Sequence, residues 1–529
     1  MHSTRRVPRP FRRGLLLAAL ALAASVVAIP ARAQQDSLPA LDADEVWRLA
    51  DAKQFDQAAA LLRGHLARVP TDAESRSILA RVLAWGRRYD ASIAEYQGLL
   101  TDHPERAADH AGYARVLTWS GHIEASLPEF RRALAEDSTD VDAHLDYARA
   151  LSWIGDLPGA TMEYKRILTD HPAQGDAWLG YATVARWRSG ATASDRFLAR
   201  AEAHGAENAA ASEERAAVRA ALAPALGGGW TSEQERQYVA GPDYTLRTQG
   251  PFTSARMTVG RTADLDVRAA WLDQSERAES GSLNYDVGTR LIRADMSLLR
   301  GYPFQAAAGL ETRHMSPGAP AVAFPLLGAG EFVGWNLRTW GYLGRFAPGL
   351  GMRRDFVPLK VSTGVPELVL GHQSIVEGTL AWQWTARGTA TTGIEHGRYS
   401  DDNTRTNARV GAAYRLRVRQ PGASLDYGFG YTDFDTTSDS YFTPLASMRH
   451  VAGVGLEGYH RRFGLTYTAR YEFARLTSDN FAAIGTHTWS ASVNAADLGA
   501  IGLGIEGSYS RDNNAYETWS FGLHAAAHW

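Results

Sequence analysis

The 529-residue chain has no cysteine, so neither a disulfide framework nor a thiolate metal site is open to it. The fold must be held by burial or by a bilayer. Lysine is nearly missing as well. Lys53, Lys165 and Lys360 stand against arginine used everywhere else, a skew that a GC-rich genome explains better than a guanidinium-specific ligand. Beyond the first thirty-odd residues no apolar run is long enough to form a membrane helix. One class of membrane protein survives that absence, because the strands of a β-barrel show lipid only every second residue. Catalytic spacing is also lacking: histidines are scattered singly, and H-E-x-x-H, G-x-S-x-G and P-loop patterns do not occur. No enzyme, cofactor or metal site is expected. Asp401-Asp402-Asn403 and the run from Asp433 to Asp439 cluster oxygen ligands, but without a specific calcium spacing, and solvated loops explain them better.

What is present begins at the N-terminus. Arg5, Arg6, Arg9, Arg12 and Arg13 precede the apolar run Leu15 to Ile29, and Ala31-Arg32-Ala33 follows it. Charged region, short apolar region and small-residue site together read as a secretory signal peptide over 1–33, cleaved after Ala33. Its removal takes away six arginines and no acid, leaving a chain more acidic than the -3 of the whole sequence. Nucleic acid is therefore not an expected partner.

Between about residues 73 and 205 the sequence repeats every 34 residues. Trp85, Trp119, Trp153 and Trp187 keep this step, as do Ala80, Ala114, Ala148 and Ala182. The series Tyr96, Phe130, Tyr164, Leu198 and Ser92, Ser126, Ala160, Ser194 follow it too. Pro70, Pro104 and Pro172 mark repeat ends, with Ser138 at the third. Two amphipathic helices per repeat account for the pattern: a small residue permits close approach, an aromatic fills the space beside it, and proline stops the second helix. This resembles the tetratricopeptide repeat. Leu41 to Pro70 matches only in its second half, as a capping repeat would.

Arg81, Arg115 and Arg149 each lie four residues before a repeat tryptophan, so each pair shares a helical face. By the resemblance, these positions and Trp187 face a concave groove that offers indole faces and guanidinium forks to a glycan or a protein partner. The alternative is packing, each Trp against the next repeat with Arg over it. Residues 34–201 are assigned to these repeats and 202–224, rich in Ala, Glu and Arg, to a helical linker.

After residue 225 a period of two replaces the helical one. Trp519, Phe521, Leu523, Ala525 and Ala527 alternate with Thr518, Ser520, Gly522, His524 and Ala526; Leu425, Tyr427, Phe429 and Tyr431 alternate with Asp426, Gly428, Gly430 and Thr432. A soluble sandwich also alternates. Aromatic residues near strand ends, segments long enough to cross a bilayer at a tilt, and connections alternating between tight and long favour a membrane barrel over 225–529. Trp529 resembles the terminal aromatic by which such barrels are recognised for assembly. Asp266, Arg268, Glu377, Glu395, Arg409, Arg415, Asp426, Arg470, Glu472 and Glu506 fall on the inward register. Their mixed signs announce no strongly anion- or cation-selective pore.

The expectation is an α + β multidomain chain: a periplasmic tetratricopeptide α-solenoid, then an antiparallel transmembrane β-barrel of about 16 strands. Signal peptide, repeats and barrel in this order resemble the outer-membrane exporters of cellulose and poly-N-acetylglucosamine. Tyr441-Phe442-Thr443-Pro444 looks like an aromatic-aromatic-x-Pro motif of the cellulose-type barrel. The small YaiO-type outer-membrane proteins combine the same parts. The resemblance implies a porin-like conduit for polysaccharide export. Its partners would be outer-membrane lipid, the barrel-assembly machinery, periplasmic synthesis or modifying proteins and the polymer. The alternative it leaves is a non-conducting scaffold whose repeats recruit a periplasmic partner.

Overall fold

The computed structural model describes residues 42–528, except 207, 238–243, 261, 279–282, 301, 318–329, 363–365, 418–420, 439–442, 461–463, 499–500 and 514–515. The expected signal peptide, Tyr441, Phe442 and Trp529 therefore lie outside the described residues.

Helices come first, in antiparallel pairs. They are α1 (Ala43–Asp51) with α2 (Phe55–Leu66), α3 (Ala73–Trp85) with α4 (Tyr89–Asp102), and α5 (Ala107–Trp119) with α6 (Ile123–Glu136). Then follow α7 (Val141–Trp153) with α8 (Leu157–Asp170), α9 (Gly175–Ser189) with α10 (Ala191–Ala203), and α11 (Ala209–Leu222). The repeat residues explain the pairing. Ala80, Ala114, Ala148 and Ala182 are completely buried, and Tyr96, Phe130, Tyr164 and Leu198 fill the space they leave. Ser92, also buried, donates its hydroxyl to the Ala80 carbonyl at 2.7 Å, tying α4 to α3. Asp42, Asp72 and Asp140 cap α1, α3 and α7 by accepting a backbone N–H three residues on. The segment that matches the repeat only in part still forms the complete pair α1–α2. At the other end α11 packs against α9 and α10 through Ala211 and Val218, and its buried Glu214 accepts from Arg186 and Ser194.

The first helix of four successive pairs ends in the same hydrogen-bonded turn. Lys53, Arg87, Gly121 and Gly155 donate to the carbonyls of Ala50, Ala84, Thr118 and Ser152, and the next residue reaches one carbonyl further back. All four are left-handed, with φ of 59°, 58°, 87° and 84°. That conformation is free for glycine and costs about 1 kcal/mol for a side chain.

The remainder is a closed barrel in which every strand pairs antiparallel with its sequence neighbours and β1 pairs with β16. The strands are β1 (Ala225–Gln237), β2 (Tyr244–Val259), β3 (Ala263–Ala278), β4 (Leu283–Leu298) and β5 (Phe304–Pro317). Next come β6 (Glu331–Gly341), β7 (Phe346–Ser362), β8 (Pro366–Gln383), β9 (Gly388–Tyr399), β10 (Thr404–Arg417) and β11 (Gly422–Phe434). The last are β12 (Ser447–His460), β13 (Leu465–Thr477), β14 (Ile484–Leu498), β15 (Ile501–Asp512) and β16 (Tyr516–His528). Closure leaves no strand edge unpaired; β1 meets β16 from Ala225↔His528 through Trp230↔Leu523 to Gln237↔Tyr516.

Two faces follow from the register. Outward positions carry exposed apolar side chains, among them Trp271, Ile292, Leu310, Leu350, Ile394, Val410, Leu456 and Leu523. Inward positions hold glycine, serine, threonine and charge. Connections at the rim where β1 begins are all short, whereas 318–330 and 435–446 at the opposite rim are long. These are called the near and far rims. No described helix is long and apolar enough to cross a membrane.

Candidate functional site: the barrel lumen and its arm-covered rim

The inner wall is built by alternation, and paired charge dominates its middle. On β7 the Arg353 guanidinium donates to Asp355 at 2.8 Å and to Glu377 on β8 at 2.8 Å, and lies 3.8 Å from Glu395 on β9. Glu395, itself buried, accepts from Arg409 at 2.6 Å and Arg405 at 3.3 Å. A second group joins Arg470 to Asp426 at 2.6 Å and to Glu472 at 2.7 Å. A third links Arg293, Asp295, Glu311 and Arg313, with Asn336 donating to Asp295 at 3.1 Å. In these three groups each guanidinium has carboxylates beside it, so this part of the wall presents dipoles rather than one sign of charge. On β13 to β16 hydroxyl pairs join the charged groups: Thr468–Ser492 at 2.8 Å, Thr488–Ser510 at 3.0 Å and Ser508–Ser520 at 2.7 Å.

Glycines alternate with these groups at inward positions. Gly309, Gly351, Gly393, Gly411, Gly428, Gly453 and Gly504 share the register of the charged residues. Such a wall leaves the middle of the barrel for water. Toward the far rim the character changes. Val287, Met315, Phe332, Ile375, Tyr399 and Phe434 are buried there, and the Tyr399 and Phe434 rings lie 5.7 Å apart. These give the wall from β4 to β11 an apolar lining at that end, which narrows it relative to the glycine-rich middle.

The arm meets the near rim through its turns. In the α5–α6 turn region Glu124 pairs with Arg387, between β8 and β9. Before α8, buried Asp156 pairs with Arg345 at 2.5 Å, and the Gly155 carbonyl accepts from Gln383 at 2.9 Å. In the last turn of α9, Arg188 donates to the Gly344 carbonyl at 2.6 Å, and Tyr342 donates to the Arg188 carbonyl at 2.9 Å. Three successive repeats thus engage the short connections that follow β6 and β8. The ends of α10 and α11 lie over Arg256, Asp264 and Asp266, enclosing a cavity of about 260 Å³ at the near mouth.

Of the inward residues read from sequence, Glu377, Glu395 and Arg409 share one cluster, and Asp426, Arg470 and Glu472 another. Asp266 lies at the arm-covered mouth, and Arg268 sits over Phe252 at 4.2 Å. Glu506 forms no ion pair among the described residues. Arg415 leaves the lumen for the rim, donating to the Ala386 carbonyl at 2.7 Å and reaching the Gly155 carbonyl. Sequence reasoning missed Arg353, Arg405, Arg345, Arg387 and Asp156. Arginine at Arg300, Arg345, Arg387, Arg419 and Arg461, in one short connection after another, was the signal for the rim.

In the arm, Trp85, Trp119, Trp153 and Trp187 are 42%, 49%, 50% and 46% exposed, so each keeps an open indole face. Their arginines turn elsewhere. Arg81 lies over Trp47 at 5.3 Å; Arg115 pairs with Asp146 at 2.6 Å; Arg149 pairs with Asp146 at 3.2 Å and Asp176 at 3.6 Å.

No protein-family model matches the chain, and no curated protein matches it in sequence. Among solved structures, a protein described as a bacterial polysaccharide outer membrane secretin aligns at 12% identity and a TM-score of 0.40, over 57% of this chain and 98% of its own. YrrB, described as a tetratricopeptide repeat protein with an unusual peptide-binding site, aligns at 16% identity and 0.29, over 33% and 89%. A tetratricopeptide repeat protein from Parabacteroides merdae aligns at 16% and 0.31, over 33% and 70%. These likenesses are too distant to carry the assignment, which rests on the period, the helix pairs and the strand pairing described above. The chain is a tetratricopeptide-type helical arm joined to a closed antiparallel barrel of 16 strands.

Proposed function

We propose that the barrel lies in a bacterial outer membrane with its arm in the periplasm, and that its lumen is a conduit for an exopolysaccharide. The observation that carries the reading is the inner wall, where glycine, hydroxyls and neutralised charge leave a hydrated passage. A neutral or weakly charged glycan has many hydroxyls and no strong field to satisfy. Such a wall exchanges hydrogen bonds with it without holding it. The exposed apolar belt outside supports insertion in lipid. The near rim, with its short connections and the attached arm, then faces the periplasm. Open indoles along the arm supply stacking surfaces for sugar rings or for a partner that delivers the polymer.

A non-conducting scaffold is the second reading, favoured by the far-rim constriction and by the helices lying over the near mouth. Deletion of the gene separates the two. Export predicts loss of surface polysaccharide with polymer retained in the periplasm; intact surface polysaccharide ends the conduit reading. In the purified chain, Trp119→Ala with Trp153→Ala is expected to weaken glycan binding about tenfold while the arm stays folded, each stacked ring being worth about 0.5–1.5 kcal/mol. Unchanged binding would remove the tryptophans from the path.

A further inference from the structure

The left-handed turn residue of the four pairs is glycine in two and a cation in two. At Gly155 the barrel is directly opposite: a Cβ there would meet the Arg415 guanidinium, which would have to swing aside. Gly121 belongs to the neighbouring turn, beside Arg387 and Leu416. The equivalent residues Lys53 and Arg87 are exposed, make no contact with the barrel among the described residues, and accept positive φ that glycine would accept freely. Cationic side chains therefore stand at the tip of this edge where the barrel is not opposite.

The path of the arm says what is opposite. At the α7–α8 turn the contacts are to Gln383 and Arg415, inward-facing residues of the rim. One repeat earlier, Glu124 and its turn form with Trp153 a cleft of about 470 Å³ against Leu416, which is outward-facing. The line of contact thus leaves the lumen side and reaches the outer perimeter. The α3–α4 and α1–α2 turns continue this edge beyond the barrel, with Trp85 42% exposed beside Arg87. Exposed acids also lie here, at Asp51, Asp56 and Asp90, and Arg88 reaches Asp56 at 3.5 Å. Neither Lys53 nor Arg87 forms an ion pair among the described residues.

We infer that this edge of the first two helix pairs is a peripheral membrane surface, on which Lys53, Arg87 and Trp85 contact the headgroups of an anionic phospholipid leaflet around the barrel. Indole and basic side chains are the residues that settle at that depth, and a cation close to an anionic leaflet strengthens attachment about fivefold. Trp85 is thereby assigned to lipid rather than to polymer. The surface orients the arm under the bilayer and keeps its open indoles beside the near mouth. It rests on the reading of the barrel as membrane-spanning with the near rim at the bilayer boundary.

The absence of cysteine makes the test direct. The full chain, carrying one spin label at Asp90→Cys, is placed in nanodiscs of phosphatidylcholine with or without phosphatidylglycerol. Accessibility to a water-soluble relaxation agent is compared with that of a label at Glu105→Cys, on the opposite edge. The label at 90 is expected to be shielded in phosphatidylglycerol discs and the label at 105 to stay open. Lys53→Gly with Arg87→Gly is expected to abolish the shielding while leaving the arm's thermal unfolding unchanged or higher, since glycine suits the turn. A label at 90 as open as the one at 105, or shielding that survives in the double variant, overturns the inference. A label at Val410→Cys on the outward barrel face checks the underlying reading separately: if it meets water rather than lipid, the membrane barrel fails, not only the edge.

Discussion

Tyr96 shows how closely a single position governs its neighbour 16 residues on. Its hydroxyl occupies the place where a Cβ at Gly112 would stand, so Gly112→Ala must push the ring aside. Overpacking of this kind costs about 1–3 kcal/mol, and the penalty should shrink in a Tyr96→Phe background; chemical denaturation of the parent, both single variants and the double variant measures it. Where the aromatic is Phe130 the partner position is Asp146, free to bind Arg115 and Arg149. Asp72 gives a pH signature. Burial alone would raise its carboxyl, but the Ser75 hydroxyl and N–H and the His65 ring outweigh it and hold it at about 2. A carboxylate depressed in this way contributes stability above its unfolded value of about 3.9, and the contribution is lost as pH falls through about 2. Asp72→Ala should therefore destabilise the arm by about 1 kcal/mol at neutral pH, with the gap closing in acid. Equal destabilisation at pH 7 and at the acid end would contradict this. The repeat residues were legible in sequence because burial repeats with the chain. The partners of the repeat arginines were not, because Arg115 takes Asp146 and Arg149 takes Asp176 from the following repeat, besides the Asp146 that Arg149 finds on its own helix.

Between elements, the decisive contact is the arm on the near rim. Asp156 is buried beneath Arg345, so Asp156→Asn leaves a guanidinium without its carboxylate, at a cost of about 3–5 kcal/mol for a fully buried pair and less at this partly open rim. Faster hydrogen exchange at α7–α8 and at the 342–345 turn, with β13 to β16 unchanged, is the expected readout. Exchange unchanged at both would mean that the pair does not fasten the arm. The barrel's strands were readable wherever inward and outward residues differ sharply, as in β11, β13 and β16. They were obscure between 300 and 370. In β7, Pro348, Pro358 and the run Arg353-Arg354-Asp355 break the alternation, and Arg353, which joins the largest charge cluster, went unseen there. Docking partners separated by a hundred residues or more leave no periodic trace, although the repeated arginines of the short turns did mark that rim.

At the scale of the molecule, the proposed conduit is a barrel narrowed at both ends, by the buried apolar residues near the far rim and by α10 and α11 at the near mouth. The inward side chains in the middle alternate with glycine, so the conduit reading puts its resistance to flow in those two narrowings. Single-channel recording in planar bilayers tests this most directly, on the whole chain and on a variant carrying Phe332→Ala and Met315→Ala. The account predicts small or rare openings for the whole chain and a clear rise in conductance, with weak ion selectivity, when the far constriction is widened. A barrel that stays electrically silent in both, although inserted in the bilayer, would contradict a conduit and leave the scaffold.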